Sequence, residues 1–549
     1  MKKLATLLLA AGMVLGSFAG AQAIDWKVRG AWKFEFGLYD GVNFSKDTTA
    51  SQRTNARKRQ YGIGGDTFGA AQRFDTWIEA VASENLSATL RLEIGAVDWG
   101  KAYKDANPRS AGGAMGQRGS IIGVRDAYLD WFVPNTELKI RMGIQPISTP
   151  GFAFGPSVIA QDVAGITASY KFNDNVSVTA LWARPWNDNY ATSNTYTTAE
   201  YGAPNSLDNV DFFGLLVPLS FDGFKVTPWG MIGAIGPNSF RNASSNAPAG
   251  YDFGGYGAAT LVGLRPAYAQ THNRRAIPDA GNNNSVKGSQ QYATAWWGGL
   301  TFDITAADPF RFALDAVYGS VTYADAGYMN RQGWFLTALA EYKLDWGVPG
   351  IHFWYGSGDN GNPRDGSEQM PVTHITNGGT SYSSMALYGA SYTSISQPLE
   401  GWLGTPAAYT GTWGVGVKIR DMSFIEDLKH TIRLNFFGGT NSPQMAKYMR
   451  GIKNIGGVRG EYGIHDFNTL GGRGASYLTT QDYGVEVNFD HSYKIYENLE
   501  LMVELGYMHL WLDQTRSVWG NNSAAAVNAR RGVNVTDGLK ATMIMQYSF

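Results

Sequence analysis

The sequence predicts an all-β protein, an antiparallel β-barrel that spans a membrane. Three observations support this fold class: the last residues alternate between two faces, the first residues resemble an export signal, and short and long connections alternate along the chain. Strand side chains alternate with period two, and the wall of a membrane barrel has lipid on one face and water on the other. A strict two-faced alternation is therefore the pattern to look for in each element.

The C-terminal segment 539–549 shows the clearest alternation. Its apolar face carries Met543, Met545, Tyr547 and Phe549. The opposite face is mostly polar, with Ile544 as the exception. This pattern predicts a final transmembrane strand with lipid outside and water inside.

The first 23 residues have the features of a secretory signal peptide. Lys2 and Lys3 precede an apolar run over 4–15, and Ala21-Gln22-Ala23 provides a small-x-small cleavage site. A membrane anchor is the alternative, but the run is shorter than the ~20 residues that a spanning helix needs. We predict that 1–23 is removed and that the barrel occupies 24–549.

The composition limits the possible classes of protein. Charged residues make up 17% of the chain and aromatic residues 13%, whereas ordinary soluble domains have about 25% charged residues. The net charge of −1 argues against nucleic acid as a partner. The chain has no Cys, so disulfides cannot stabilise the exported protein.

Period-two alternation recurs along the whole chain. It is found at 26–38, 86–94, 138–144, 415–420, 483–490 and 499–507, among other segments. In a helix these apolar residues would be scattered around all faces, so strands are favoured. We count about 18 strands, with 16 as the alternative because predicted strand ends shift by a few residues. An even number places both termini on the periplasmic side.

The connections alternate between short turns and long segments rich in Gly, Ser, Asn and Pro. The predicted short turns are 83–85, 134–136, 173–175, 220–223, 306–309, 345–350 and 496–498. The long segments are about 40–70, 98–119, 186–207, 236–291, 358–410, 440–480 and 513–536. This alternation predicts short periplasmic turns and long external loops. Aromatic residues beside the short turns, such as Trp131 and Tyr493, predict an interfacial girdle.

Both ends of the chain resemble those of Gram-negative general porins. Segment 1–16, followed by Ile24-Asp-Trp-Lys-Val-Arg-Gly, resembles the outer membrane homotrimeric porins of sulfate-reducing bacteria. The terminal Phe549, with Tyr547 and Met545 before it, resembles the signal that the barrel-assembly machinery reads. The resemblance implies a homotrimer in outer-membrane lipid, in which each barrel has its own diffusion pore.

The same resemblance implies a constriction loop, because in general porins the loop after the fifth strand folds into the barrel. Here the corresponding candidate is 147–162, which contains Pro150 and Pro156. Proline restricts the backbone and stiffens such a segment. The candidate carries one carboxylate, Asp162, whereas constriction loops of general porins are typically acidic.

Candidate pore-lining residues are charged side chains at mid-strand positions of the lumen face, because pore selectivity depends on width and on charge at the narrowest point. The basic candidates are Lys33, Arg91, Arg141 and Arg433, and the acidic candidates are Glu486 and Glu504. The first three predict a weak preference for anions. The alternative is that these charges only solvate the wall and pair with neighbours such as Glu93.

The predicted function is a water-filled channel for passive diffusion of small hydrophilic solutes and ions, without cofactor, metal or catalytic residue. One alternative is a channel specific for a saccharide or an oxyanion, in which Trp77 or Trp186 stacks on sugars. A barrel enzyme is less favoured because no Ser/His or Asp/His constellation is evident, and a soluble exported adhesin would not need a terminal Phe549. Segment 359–368 resembles a calcium loop but fails the EF-hand spacing, and the seven His are scattered.

Overall fold

The computed structural model describes residues 24–40, 67–100, 113–115, 122–187, 209–236, 264, 292–323, 330–362, 364–373, 382–384, 410–445, 453–455, 458–461, 478–513 and 537–549. The predicted signal peptide 1–23 lies outside the described residues. Within them the structure has 21 strands. Their bounds are β1 Asp25–Asp40, β2 Thr67–Ser83, β3 Leu86–Asp98, β4 Ile122–Phe132, β5 Leu138–Ser148, β6 Ala160–Lys171, β7 Ser177–Asn187, β8 Asn209–Leu216, β9 Leu219–Phe221, β10 Phe224–Ile235, β11 Ala293–Ile304, β12 Phe310–Thr322, β13 Arg331–Tyr342, β14 Val348–Gly356, β15 Thr412–Ile425, β16 Leu428–Gly439, β17 Lys453–Ile455, β18 Val458–Glu461, β19 Tyr483–Tyr496, β20 Leu499–Trp511 and β21 Gly538–Ser548.

These strands form one closed antiparallel barrel with 18 wall positions. Each wall strand pairs with its neighbours in the chain, and β1 also pairs with β21, with Ala31 opposite Ser548. The short strands β8 and β9 both pair with β10 and together form one wall position, interrupted at 217–218. The strands β17 and β18 pair with each other in a separate sheet. The structure confirms the prediction of 18 strands and excludes the alternative of 16.

The two faces of the wall differ as the alternation predicts. On β1, Trp26, Val28 and Leu38 are exposed on the outer face, whereas Glu35 is buried in the lumen. The last strand is arranged in the same way, since Met543, Met545, Tyr547 and Phe549 are exposed outward. Ile544, the exception in the sequence pattern, is fully buried on the lumen face, in register with the buried Glu35 of β1.

Short connections lie at one end of the barrel and long ones at the other. Two-residue turns join strands at 84–85, 222–223, 426–427 and 497–498. The turn at 426–427 was absent from the sequence prediction, and its Asp427 has a φ of 61°. Asp and Asn tolerate this left-handed conformation better than most residues. Both β1 and β21 have their terminal ends on the short-turn side, as an even strand count requires. Among the described residues, no helix is long and apolar enough to cross a membrane.

Two segments and an apolar cluster fill part of the lumen near the long-loop end. The first segment, 149–159, joins β5 to β6 and is called the tongue. The second, 382–384, is called the finger. The apolar cluster faces inward from strands β7 to β20 and includes Phe212, Trp297, Phe335, Trp354 and Phe437. The interior on that side is therefore packed by side chains.

Candidate functional site

The tongue enters the lumen because the hairpin that carries it leaves the wall. The strand β5 pairs with β4 only as far as Ile144, and β6 pairs with β7 only as far as Gly165. The two strands pair with each other beyond these points, up to Ser148 opposite Ala160. This end of the hairpin, 145–148 with 160–164, is called the arm. In the arm, β5 and β6 form a backbone ladder with each other but not with β4 or β7.

Two glycines lie opposite each other where the arm leaves the wall. Gly143 pairs with Gly165 and has a φ of 128°. A Cβ on Gly143 would be 2.2 Å from the carbonyl oxygen of Ala127, and one on Gly165 would be 2.4 Å from that of Trp182. Only glycine permits such close approach of neighbouring backbones. The amide of Gln145 donates to the carbonyl of Gly165 at 2.9 Å, which satisfies this group at the bend.

The tip of the tongue is bound to β12, five wall positions further round the barrel from β6. The carboxylate of Asp315 accepts hydrogen bonds from the backbone N–H groups of Phe152, Ala153 and Phe154 at 2.7, 2.9 and 3.0 Å. The guanidinium of Arg311 donates to the carbonyl oxygen of Phe152 at 3.2 Å. The tongue therefore crosses part of the lumen as a chord.

The tongue and the finger meet through aromatic rings. The ring centroid of Phe154 lies 5.1 Å from that of Phe335 and 5.4 Å from that of Tyr382. The Tyr382 ring stacks on His352 at 4.1 Å, and its hydroxyl lies 2.8 Å from that of Thr337. Burial raises the pKa of the Tyr382 phenol above its ordinary value, so this hydroxyl stays protonated.

The rest of the finger covers polar groups on the late strands. The hydroxyl of Ser383 donates to Glu486 at 2.5 Å, and that of Ser384 donates to Asp490 at 2.9 Å. Lys540 donates to the carbonyl oxygen of Ser384 at 2.6 Å. Because Glu486 is fully buried, this part of the wall is closed to a passing solute.

The opposite side of the lumen, on strands β2 to β6, carries partly buried arginine side chains that are held by more deeply buried carboxylates. Arg91 lies 3.1 Å from Asp75 and 3.7 Å from Asp126, in each case between a guanidinium nitrogen and a carboxylate oxygen. Arg73 binds the second oxygen of Asp75 at 2.8 Å. One carboxylate thus holds two guanidinium groups side by side.

The same network continues onto β4, β5 and β6. Arg141 makes a two-pronged ion pair with Asp130, with distances of 2.7 and 2.8 Å. Arg125 binds Glu93 at 3.1 Å and Asp162 at 2.8 Å. It therefore links β3 to β6 where β4 and β5 no longer pair. The residues Arg73, Arg91, Arg125 and Arg141, with the carboxylates they bind, are called the arginine wall.

In the arginine wall the cations are more exposed than most of the carboxylates that hold them. The side chain of Arg91 is 16% exposed and that of Asp75 is 3% exposed. For Arg141 and Asp130 the values are 25% and 11%. The four guanidinium groups share five carboxylates, of which Asp75 and Asp126 are almost fully buried, so the more exposed groups are mainly guanidinium.

The aromatic residues considered as sugar platforms are otherwise engaged. The ring of Trp77 has the guanidinium groups of Arg29 and Arg91 at 4.9 and 4.7 Å from its centroid. Such cation–π contacts occupy the ring and reduce the surface left for a sugar. Trp186 packs against the apolar cluster.

The predicted pore-lining residues fall into two separate groups. Lys33 lies on the lumen face of β1 opposite Arg73, whereas Arg91 aligns through Trp77 with Arg29 of the same strand, so the basic candidates of β1, β3 and β5 are offset along the wall. Arg433 is ion-paired with Asp490 on the covered side. The proposed acidic counterpart is not an open surface, because Glu486 lies under the finger and Glu504 binds Lys540 at 2.5 Å.

The bounds of the predicted constriction segment need a correction. The connection is 149–159, since Ile147 and Ser148 belong to β5 and Asp162 belongs to β6. Asp162 pairs in register with Pro146 and binds Arg125, so it belongs to the arginine wall. The prediction placed it in the loop because the segment after the predicted fifth strand was assigned, by resemblance, to the constriction loop.

Several residues with direct roles in this geometry were not among the sequence candidates: Asp126, Asp130, Asp315 and Tyr382. The sequence contains a signal for Asp315. It is the one carboxylate on the lumen face of β12, and its neighbours on that face, Ala313 and Val317, are apolar. The tyrosine lies in a long connection without periodicity, and its sequence gave no comparable signal.

A second charged centre lies nearer the short-turn end, on strands β12, β13 and β15. The buried carboxylate of Glu341 accepts from Lys418 at 3.1 Å and from Arg420 at 2.8 Å. Arg311 reaches the same carboxylate at 3.1 Å and also binds Asp303 at 2.7 Å. Because Arg311 also donates to Phe152 of the tongue, it connects the tongue to the wall near the short-turn end.

Segment 359–368 uses its acidic oxygens internally. Asn360 donates to both Asp365 and Glu368, and Ser367 donates to Asp359 at 2.6 Å. Burial, with Asp359 and Asp365 nearby, raises the pKa of the Glu368 carboxyl. In the part of the chain that the structure describes, no group of three or more His, Asp or Glu side chains is arranged to hold a metal ion.

No protein-family model matches the chain, and no curated protein matches it in sequence. Solved structures with similar backbones include OccK9 (OpdG) of Pseudomonas aeruginosa, with 11% identity, coverage of 96% of this chain and 98% of that one, and a TM-score of 0.46. The outer membrane protein OprD of the same organism has 10% identity, coverages of 97% and 95%, and a TM-score of 0.45. OccAB4 of Acinetobacter baumannii has 10% identity, coverages of 96% and 99%, and a TM-score of 0.45. The likeness is one of barrel fold.

Proposed function

We propose that this chain is an outer-membrane porin, a channel for passive diffusion of small hydrophilic solutes and ions. The observation that carries the proposal is the contrast within one closed barrel. The outer face is apolar, while the lumen is packed on the side of the tongue and the finger and keeps a partly exposed, charged arginine wall on the other side. A wet, charged path through an apolar shell is what a diffusion channel needs.

The proposed path runs along β1 to β6. Lys33, Arg91 and Arg141 lie on it, and Arg433, Glu486 and Glu504 lie apart from it. A weak preference for anions is part of the proposal, because a solute meets guanidinium groups before the more deeply buried carboxylates. Passage needs neither a chemical step nor an energy source.

A channel specific for oxyanions is the second candidate. Guanidinium groups bind planar oxyanions through paired hydrogen bonds, and those of the arginine wall are partly exposed. A saccharide channel has less support, because Trp77 is held by two guanidinium groups. A barrel enzyme also has little support, since the four described histidines contact an asparagine, each other and an aspartate.

The assembly proposed with this function is the one that the sequence resemblance implies: a homotrimer in outer-membrane lipid, folded by the barrel-assembly machinery with Phe549, Tyr547 and Met545 as its signal. Cross-linking in the native membrane tests the homotrimer, and deletion of Phe549 tests the assembly signal.

Liposome swelling tests the proposed function. Purified protein is placed in liposomes, and uncharged sugars of increasing size are added outside, with potassium salts of small carboxylates in a parallel series. We expect rates that fall with solute size, and faster entry for an anion than for an uncharged solute of equal size. Impermeable liposomes containing correctly folded barrel would overturn the proposal.

A further inference from the structure

We infer that Asp315 is the positioning residue that sets the width of the pore, because its carboxylate fixes the tongue across the lumen. The inference rests on the proposed channel function and adds to it the residue that determines the size limit for solutes. The arginine wall supplies charge along the path, and Asp315 supplies the opposing boundary.

The contact between Asp315 and the tongue is specific to a carboxylate. Three consecutive backbone N–H groups converge on its two oxygens at 2.7 to 3.0 Å. Successive N–H groups of this kind form a concave anion-binding nest. Hydrogen bonds to a charged acceptor are roughly twice as strong as neutral ones. The carboxylate is almost fully buried. The N–H groups of the tongue replace the water that the carboxylate loses, and the carboxylate holds the tongue in place.

The tongue is also attached at its other end. Thr373 donates to the carbonyl of Val158 through its backbone N–H and its hydroxyl, at 2.9 and 2.6 Å. That contact holds the returning half of the tongue near β6. The tip itself is placed by Asp315, Arg311 and the Phe154 ring.

The position of the arm, and with it the pore width, depends on the attachment of the tongue tip to Asp315. Beyond Ile144 and Gly165 the arm has no backbone ladder with β4 or β7. The wall therefore holds the base of the arm through the ion pair of Arg125 with Asp162, and the tip through Asp315. If the carboxylate is removed, three N–H groups lose their acceptor, two of them buried, and a buried donor without a partner destabilises the arrangement that buries it. The tip then gains by turning toward water in the lumen, with the glycine pair as the bend.

The first test is the size limit of Asp315→Ala in the liposome-swelling assay. We expect several-fold faster entry of the largest sugar that the wild type admits only slowly, with little change for the smallest sugar. The matched control is Asp303→Ala, which also removes a lumen carboxylate bound to Arg311 but makes no contact with the tongue. A size limit equal to the wild type in Asp315→Ala would overturn the inference.

A cysteine lock tests the same contact in a barrel that must already be folded. The chain has no native Cys, so a pair made by Ala153→Cys and Asp315→Cys reports on this contact alone. We expect the oxidised pair to keep the wild-type size limit and reduction to raise it. The inference fails if the pair does not cross-link in the assembled barrel, or if reduction leaves the size limit unchanged.

The experiments distinguish a failure of the proposed channel function from a failure of the proposed role of Asp315. A wild type that admits no solute removes the channel function, and the inference with it. A permeable wild type with an unchanged Asp315→Ala variant and an unresponsive cysteine pair leaves the channel function in place and removes only the role of Asp315.

Discussion

Phe549 lies over Gly30 on the outer face, where the first and last strands close the barrel. The N–H of each residue donates to the carbonyl of the other, at 2.9 and 3.0 Å. The Phe549 ring stacks beside Phe74, with centroids 6.2 Å apart. A Cβ on Gly30 would lie 2.6 Å from the ring. The terminal aromatic residue thus needs a glycine opposite it to complete the seam.

We predict that Gly30→Val lowers the yield of closed barrel, because the added side chain displaces the Phe549 ring and opens the last pair of the seam. The measurement is the fraction of protein that runs as the compact, heat-modifiable species after refolding into detergent. The matched control is Gly298→Ala, a glycine in β11 whose Cβ would have no neighbour within 4 Å. Equal yields for the two variants would contradict a role for Gly30 in closure.

We predict that Glu341→Ala strongly destabilises the barrel, because it leaves the buried Lys418 and two guanidinium groups without their shared carboxylate. Removing one partner of a buried pair costs about 3–5 kcal/mol. Urea unfolding in detergent micelles, followed by tryptophan fluorescence, measures the change.

The control for this loss is the exposed pair of Lys171 and Asp174 at a short turn. Lys171→Ala removes a pair that is largely in water, and such pairs contribute little to stability. If Lys171→Ala and Glu341→Ala shift the unfolding midpoint equally, the buried centre is not a determinant of stability.

We predict that replacing Arg91 and Arg141 with Glu moves the reversal potential in a salt gradient toward cations. The reason is that these two guanidinium groups are more exposed than their carboxylate partners. The effect is expected to fade near ~1 M salt, where charges are screened beyond ~3 Å. Lys540→Gln, which replaces a cation that is only 4% exposed and bound to the finger, is the control and is expected to change selectivity little. A cation-selective wild type, or an unmoved double variant, would rule out the anion preference.

The sequence was sufficient to predict the strands, their faces and the closure of the wall, since each follows from local alternation. The 18-strand count depended on reading short turns correctly, and one turn, at 426–427, was missed without changing the total. Lys33, Arg91 and Arg141 were predicted on the lumen face from parity, and their strands β1, β3 and β5 lie in one part of the wall; their role at the narrowest point stays a prediction.

Contacts that depend on strand register or that cross the lumen were beyond the reach of the sequence. Arg141 meets Asp130 because of a register between strands, which neither strand specifies by itself. Asp315 meets Phe152 across 163 residues of chain, and no periodicity encodes a contact at that separation. Asp162 was assigned to a loop for a similar reason, because only its pairing opposite Pro146 places it in β6.

Single-channel conductance of the purified protein in a planar bilayer tests the channel itself most directly. A water-filled path along the arginine wall predicts stable, ohmic steps, which close in threes if the barrel is a homotrimer. Folded, heat-modifiable protein that inserts and yet shows no conductance would contradict it, since the tongue and the finger would then seal the lumen completely.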